Sequence, residues 1–378
     1  MESRSPLASR DGWQLFPKTP RIVTKRLSAE LATRISNMCT PRIILPIIAL
    51  SAFLAIPSVG NDTAFGGTAA SPYPVHTKEI RMASEQITIR SESSSSSWLY
   101  TCDFVFENMS NDPVTIMMGM PFFTMGDEEK GEFNAVLPTD EQAVAVGKPL
   151  VWKFTAAVDG KAVRVTEGKP TVNPDLLGSD YKVAYTWPMH FPGGATRKVR
   201  NTYKLAYTSS GGDNFLDYIL KTGGLWHNGK IGRSRLTVIL DDGRYILPVD
   251  DKPRDATMAG TITPGGYKVS SKGGQVVIEW DLKNFAPTQD LQVVLRDREL
   301  FIMDEVEKKS PAGMTRSELR KLRNFPYAAH GYVFKDLSLR DYYASLWYPM
   351  ANPDFKEADL SKRSKELIST VKRLEATK

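Results

Sequence analysis

Few residues in this chain have the types and spacing that catalysis requires. The sequence has two cysteines, Cys39 and Cys102, and four histidines, His76, His190, His227 and His330. No two histidines stand at a spacing typical of zinc ligands, and no nucleophile elbow, P-loop or dinucleotide-binding glycine motif occurs. The sequence therefore predicts no catalytic residue, no metal site and no cofactor.

Two other clusters have a chemical and a structural interpretation. Met117-Met118-Gly119-Met120, with Met125, offers thioethers that suit Cu(I), but a hydrophobic strand with flexible packing side chains is favoured. Asp127-Glu128-Glu129 offers neighbouring carboxylates, but glycine and lysine flank the run, so a solvated loop is favoured. Paired catalytic acids need a shaped cleft, which a single acidic run does not indicate.

The best candidate site surrounds His330. Tyr327 precedes it by three residues at the predicted end of a helix, so the two side chains share a face. A protonated histidine is also favoured near a helix C-terminus. With Tyr332, Trp347 and Tyr348, these residues form a predicted polar and aromatic binding patch. In the alternative interpretation, Tyr327, His330, Tyr332 and Trp347 only hold the corner between the helix and the following loop.

The net charge does not indicate nucleic-acid binding. The chain has 378 residues, a net charge of +6 and a pI of about 9.0. Residues 1–60 hold eight of the basic residues and three of the acidic ones, which is +5 of the total. The basicity therefore belongs to the N-terminal segment, and the rest of the chain is nearly neutral.

The N-terminal segment predicts export. An apolar run from Ile43 to Val59 follows basic residues and ends in small ones, which favours a secretory signal cleaved between Gly60 and Asn61. The run is shorter than the ~20 residues of a comfortable membrane-spanning helix and has two prolines. An uncleaved N-terminal membrane anchor is the alternative. Met38 is a possible true start, with residues 1–37 as upstream sequence or an atypical extension.

Cleavage would remove Cys39 and leave Cys102 as a single cysteine. The exported protein then has no internal disulfide. Cys102 lies in a strand-like stretch, and we expect a buried, inert thiol.

From about Lys78 to Asp297 the pattern indicates β-strands. Period-two alternation and turn residues recur along this region, which predicts mostly antiparallel sheets packed as one or two sandwiches. Three hairpins are predicted: Trp152 to Val158 with Ala162 to Val165, Leu236 to Leu240 with Tyr245 to Val249, and Tyr267 to Ser271 with Gln275 to Trp280. Weak helical turns are predicted at Asp175 to Leu177 and Asn214 to Leu220.

After Asp304 the apolar period becomes helical. Thr315 to Glu318 has the capping-box pattern, Gly331 is placed to end the helix, and Pro326 should kink or split it. A second helix is predicted over Leu339 to Leu346 with Ser338 as its cap. A third is predicted from about Leu360 to Leu374.

The C-terminal motifs resemble the YARHG domain. The matching residues are Leu319 to Asn324, Tyr327-Ala328-Ala329-His330-Gly331 and the later Trp347-Tyr348 and Asn352-Pro353-Asp354-Phe355. Ala329 stands where the family has its arginine, so any role of that guanidinium is absent here.

The middle region resembles an uncharacterised exported bacterial β domain that often accompanies YARHG. Matching stretches include Asn61-Asp62-Thr63, Lys78 to Met82, Val158 to Lys161 and Leu220 to Trp226. Both resemblances imply a bacterial envelope or secreted protein, and neither implies an enzymatic activity.

These observations predict an α+β multidomain protein. Residues 1–60 are the signal with its extension, 61–303 a β-rich exported domain, 304–313 a linker and 314–378 a YARHG-like helical domain. The predicted function is non-enzymatic binding or scaffolding outside the cytoplasm, periplasmic or secreted. The predicted partner is an envelope polymer or protein of unknown identity, with no nucleic acid, and with membrane contact only through an uncleaved signal. A hydrolase acting on an envelope polymer is the alternative, and a chaperone-like or metal-handling exported protein is a third hypothesis.

Overall fold

The computed structural model describes residues 62–69, 71–92, 97–123, 134–136, 151–170, 181–210, 213–241, 243–249, 262–307 and 310–378. They form two β-sheets followed by a small group of helices, which confirms the α+β prediction. The export segment, the turn predicted at Asp175 to Leu177, Met125 and Asp127-Glu128-Glu129 lie outside the described residues. Within these ranges no helix is both long and apolar enough to cross a membrane.

The strands are numbered in chain order. They are β1 Thr63–Thr68, β2 Ser71–Val75, β3 Ile80–Glu92, β4 Ser97–Asn108, β5 Val114–Phe123, β6 Asn134–Val136, β7 Val151–Val158, β8 Lys161–Ala162, β9 Thr166–Gly168, β10 Tyr181–Phe191, β11 Thr196–Ser210, β12 Asp213–Tyr218, β13 Ile231–Leu240, β14 Tyr245–Ile246, β15 Ile262–Thr263, β16 Lys268–Lys272, β17 Gln275–Phe285 and β18 Leu291–Asp297.

The two sheets share one hydrophobic core. The larger has the order β14-β18-β12-β11-β4-β3-β13-β17-β16, and the smaller has the order β2-β1-β5-β10-β9. Phe122 of the smaller sheet contacts Tyr203 of the larger one, with ring centroids 5.1 Å apart.

Met118 and Met120 are fully buried in this core, which confirms the hydrophobic-strand interpretation of the methionine cluster. Cys102 is also buried, and burial raises the pKa of its thiol, as expected of an inert cysteine.

Two of the three predicted hairpins are confirmed. Strands β7 and β8 join through Asp159-Gly160, and β16 and β17 join through Gly273-Gly274, with positive φ at all four turn residues. The hairpin predicted for Leu236 to Leu240 with Tyr245 to Val249 is wrong. Strand β13 pairs instead with β17 and, in parallel, with β3, so both of its edges are occupied and β14 pairs with β18.

The helical turn predicted over Asn214 to Leu220 is also wrong. Residues Asp213–Tyr218 form β12, which pairs with β18 and β11. Every residue of β12 from Asn214 onward is buried, so the alternation that marks a half-exposed strand is missing from its sequence.

Four α-helices complete the described chain: α1 Arg298–Glu307, α2 Arg316–Ala329, α3 Leu337–Ala344 and α4 Lys362–Ala376. The capping box of Thr315 and Glu318 is present. Helix α2 ends as predicted at Gly331 (φ 83°), with the Tyr332 amide donating to the Tyr327 carbonyl. Pro326 does not split α2, because it lies in the last turn and removes a single backbone hydrogen bond.

Two predicted details of the helices differ in the structure. The cap of α3 is Asp336 rather than Ser338, because the Asp336 carboxylate accepts from the Leu339 amide and the helix begins two residues earlier. Helix α1 occupies the start of the predicted linker 304–313, and its Phe301 packs against Phe325 and Trp347. The domain boundaries themselves stay a prediction.

Residues 347–352, here called the junction segment, connect the helices to the larger sheet. Its Tyr348 amide donates to the Leu247 carbonyl at 2.9 Å, and the Val249 amide donates to the Leu346 carbonyl at 3.1 Å. Gly274 and Gly331 both lie against its backbone. A Cβ on Gly274 would come 2.5 Å from the Ala351 carbonyl oxygen, and one on Gly331 would come 2.3 Å from that of Met350. The segment therefore fits only because two glycines leave room for it.

We expect Gly274→Ala to lower the free energy of unfolding by roughly 1–3 kcal/mol more than Gly273→Ala does. Both positions have positive φ, so in both variants the free energy of unfolding is lowered by the strain of alanine in the left-handed region. A Cβ on Gly273 meets nothing within 4 Å, which makes it the matched control. Urea unfolding measures the difference, and equal losses would show that the close approach to Ala351 does not matter.

The core also contains a carboxyl with a strongly raised pKa. Burial raises the pKa of Asp217 to about 7. The hydrogen bond from Gln292 (3.1 Å) acts in the opposite direction, and the negative charge of Asp290 acts in the same direction as burial. The folded state therefore holds this proton more tightly than the unfolded state, and stability should fall as pH rises from about 4 to about 7, by up to roughly 4 kcal/mol. Asp217→Asn keeps the acceptor oxygen and should abolish that part of the pH dependence. Unfolding measured at about pH 5 and about pH 8 tests this; an unchanged pH dependence in the variant would contradict it.

Candidate functional site

Three of the predicted site residues line one cavity beside the junction segment. This junction cavity has a volume of about 230 Å³. Its wall is formed by Asp241, Gly243, Ile246, Gly274, Arg298, Ala328, Ala329, His330, Trp347, Tyr348, Met350, Ala351 and Asn352. The sheet, α1, the end of α2 and the junction segment all contribute, so the cavity exists only where the helices meet the sheet.

The other two predicted residues lie elsewhere. Tyr332 lines a second cavity of about 250 Å³, here called the aromatic cavity, together with Phe334, Tyr343 and Trp347. Tyr327 lines neither cavity: its hydroxyl donates to Glu357 at 2.8 Å. The predicted patch is therefore divided, with Trp347 lining both cavities. The rings of Tyr327 and Tyr332 contact Phe355, as the structural interpretation of this corner requires.

His330 is buried at the end of α2 with an exposed fraction of 6%. Its Nδ1 lies 2.7 Å from the Pro326 carbonyl, so that nitrogen carries a hydrogen and donates. Its Nε2 lies 3.5 Å from a carboxylate oxygen of Glu299. Burial lowers the pKa of His330, and the positive charge of Arg298 lowers it by a smaller amount. The hydrogen bond to the Pro326 carbonyl and the negative charge of Glu299 act in the opposite direction. Near neutral pH the imidazole is thus uncharged.

Arg298 supplies the positive charge of the junction cavity. It begins α1 directly after β18, and its guanidinium donates to the Gly243 carbonyl. The rim residue Asp241 accepts from Ser91 (2.6 Å) and forms an ion pair with Arg90 (3.1 Å), so its charge is compensated. Sequence reasoning missed Arg298, because it is one of many basic residues and only the tertiary structure places it beside His330.

Ala329 explains why there is space in this cavity. It is buried, at 6% exposed, and its methyl group forms part of the wall. The YARHG resemblance places an arginine at this position, and a side chain of that length would enter the same space. The departure from the family motif therefore coincides with a cavity in this chain.

Other polar groups also line the wall. The Asn352 Oδ1 accepts from the Asp354 amide, and the Asn352 side chain is exposed to solvent. The Trp347 indole and the half-buried Tyr348 side chain complete the polar part of the wall. A concave wall with a few polar groups among apolar ones suits the binding of a small polar molecule. Among the residues described, no group of three or more His, Cys, Asp or Glu side chains is placed to hold a metal ion.

Two known domains match the chain. The YARHG domain matches residues 299–376, and a domain of unknown function, DUF4424, matches residues 60–180. Comparison with the curated proteins finds no sequence match.

Solved structures give a further comparison. A candidate nutrient-binding protein of Legionella pneumophila is 30% identical, covers 83% of this chain and 100% of its own, and superposes with a TM-score of 0.64. An M1 zinc metallopeptidase variant of Deinococcus radiodurans is 11% identical, covers 61% of this chain and 45% of its own, and has a TM-score of 0.28. A TM-score this low supports no inference about the function of this chain.

The fold and the cavity define a two-sheet β protein with a C-terminal helical module, an arrangement that fits a binding role. The chain belongs to the same family as the Legionella protein, and it carries a DUF4424 domain followed by a YARHG domain. The predicted resemblance to YARHG proteins with an uncharacterised β domain is thereby confirmed.

The pKa of His330 is expected to lie below its ordinary value of 6.5. Because the unfolded state then binds the proton more tightly, stability should fall as pH drops from 6.5 through the folded-state pKa. Glu299→Gln removes a nearby negative charge and should lower the pKa further. An NMR pH titration of the imidazole carbons measures both values; a wild-type pKa above 6.5 would mean that the Glu299 contact outweighs burial.

Proposed function

We propose that this protein is a non-enzymatic binding protein that acts outside the cytoplasm and holds a small ligand in the junction cavity. The observation that carries the proposal is the cavity itself. It is lined by both structural regions, and its wall combines the Arg298 guanidinium with the side chains of Asn352, Trp347 and Tyr348. Such concave sites with a few placed polar groups are typical of ligand binding.

The Legionella relative supports the proposed binding function. It is a candidate nutrient-binding protein, and its similarity to this chain extends over its entire length. The proposal for this chain is correspondingly a small-molecule ligand rather than the envelope polymer considered from sequence.

The location outside the cytoplasm is supported by the sequence. The apolar run from Ile43 to Val59 and the basic residues before it favour export, with Gly60 and Asn61 flanking the proposed cleavage site. In this proposal the released protein is periplasmic or secreted. An uncleaved segment would instead anchor it to the membrane.

Ala329→Arg should block the junction cavity and abolish binding. The test is a thermal-shift screen of the purified protein against amino acids, organic acids, sugars, nucleosides and peptidoglycan fragments, because a ligand that binds only the folded state raises Tm. At least one compound should raise the Tm of the wild-type protein and leave that of Ala329→Arg unchanged. The family motif itself has arginine at this position, so the helix should accept the substitution.

Ala344→Arg is the matched control. It introduces the same side chain at an exposed helical position that lines only the aromatic cavity. This variant should keep the ligand-induced shift. Equal loss in both variants would place the ligand elsewhere, and no shift with any compound would contradict a small-molecule function.

A further inference from the structure

Strand β16 forms one edge of the larger sheet. Among the described strands it pairs only with β17, across a two-residue glycine turn. The pair that closes such a turn, Lys272 with Gln275, exchanges hydrogen bonds, and bonded pairs alternate along an antiparallel ladder. The N–H and C=O groups of Val269 and Ser271 therefore point away from β17, to the side on which a further strand would pair.

The C-terminal end of β16 also forms part of the wall of the aromatic cavity. Ser271 stands opposite the fully buried Val276, so both side chains lie on the core-facing side of the sheet, and Val269 shares that side. Ser271 lines the aromatic cavity as well. A residue of an added strand that stood opposite Ser271 would share this side, and its side chain would point towards the cavity.

The aromatic cavity suits a large apolar side chain. Its wall includes the rings of Phe334, Tyr343 and Trp347, and its volume is about 250 Å³. Tyr332 and Val333 belong to the same wall, yet they are 47% and 59% exposed. Exposed apolar side chains beside an apolar cavity and a sheet edge are typical of a surface that binds an extended peptide.

The charges along this edge favour an acidic peptide. Strand β16 begins at Lys268 and ends at Lys272, and Arg340 is the one charged residue of the cavity wall. Glu279 stands opposite Lys268 on β17 and offsets one of these three positive charges. The edge keeps a positive surplus, which acidic residues of a bound segment would complement.

A second copy of this chain fits the same edge poorly. If two β16 strands paired over all five of their residues, Lys268 of each copy would stand opposite Lys272 of the other. Like charges directly opposite each other destabilise a strand pair, and here they would meet twice. The charge pattern therefore favours a different chain over self-association.

We propose that β16 and the aromatic cavity bind an extended acidic segment of a partner protein. The segment adds a strand to the larger sheet along Val269 and Ser271, places an apolar side chain in the cavity and sets acidic residues opposite Lys268 and Lys272. In this mode main-chain hydrogen bonds give affinity and the side-chain pocket gives specificity. The ligand differs in class from that of the junction cavity, so this inference goes beyond the proposed function.

Fluorescence polarisation with labelled peptides tests the main-chain pairing. The probes have the sequence Glu-Xaa-Thr-Val-Glu between serines, with Phe, Tyr, Trp or Leu as Xaa, written for antiparallel pairing from Lys272 back to Lys268. N-methylation of Xaa and Val blocks the amides that face β16 and should weaken the best peptide about 10-fold or more. N-methylation of Thr, whose amide faces away, is the matched control and should leave the affinity nearly unchanged.

Exchange of charges tests the register. The wild-type protein should bind the peptide that ends in glutamate about 3- to 10-fold more tightly than one with lysine opposite Lys268. In Lys268→Glu this preference should reverse, because the lysine of the peptide would then stand opposite a glutamate. Lys161→Glu is the matched control: it changes an exposed lysine on β8 and should keep the wild-type preference.

Comparing two peptides within one variant keeps the result readable if Lys268→Glu lowers stability. Binding of none of the four peptides would overturn the proposal, and so would equal losses from both N-methylations or a preference that does not reverse. A dimer in sedimentation velocity that Lys268→Glu stabilises would assign the edge to a second copy and would also overturn it.

Ala329→Arg separates this inference from the proposed function. Ala329 lines the junction cavity and not the aromatic cavity, so the substitution should leave the peptide affinity unchanged while it blocks the small ligand. Loss of peptide binding in this variant would contradict a site on β16 and the aromatic cavity.

Discussion

The close approach of the junction segment to two glycines is the constraint on which the rest of the site depends. Residues 347–352 lie against the sheet through the Tyr348–Leu247 hydrogen bond, against the β16–β17 turn at Gly274 and against the end of α2 at Gly331. A side chain at either glycine would overlap backbone atoms, which cannot move away as the end of a flexible side chain can. These contacts fix the position of Trp347 and thereby the separation of the helices from the sheet.

The junction cavity follows from that separation. The backbone at the end of α2 is held by its hydrogen bonds and by Gly331, but the residues that face the sheet there, Ala328 and Ala329, have short side chains. Space is left between them and the sheet edge, and Arg298 enters it from α1. The half-buried guanidinium of Arg298 donates to the Gly243 carbonyl and lies 3.9 Å from the Glu299 carboxylate, so its charge is partnered within the fold. The small residue that departs from the family motif thus coincides with a cavity between the helices and the sheet.

Sequence reasoning succeeded where the cause was local. Glycine turns at Gly160 and Gly273, the capping box and the end of α2 depend on a few neighbouring residues, and the structure confirms them. It failed where tertiary pairing decided the outcome, as for the fully buried strand β12. His330, Trp347 and Tyr348 were found through motif and aromatic content, whereas Arg298 carries no local signal. The sequence predicted one patch and did not anticipate two cavities, because no short pattern encodes the path of the junction segment.

The central claim is that the helices and the larger sheet form one cooperative unit with the cavity between them. Differential scanning calorimetry of the protein that begins at Asn61 tests it most directly. We expect a single unfolding transition whose calorimetric enthalpy equals the van't Hoff enthalpy. Two separate transitions, one for the β region and one for the helices, would show that the regions unfold independently and would contradict it.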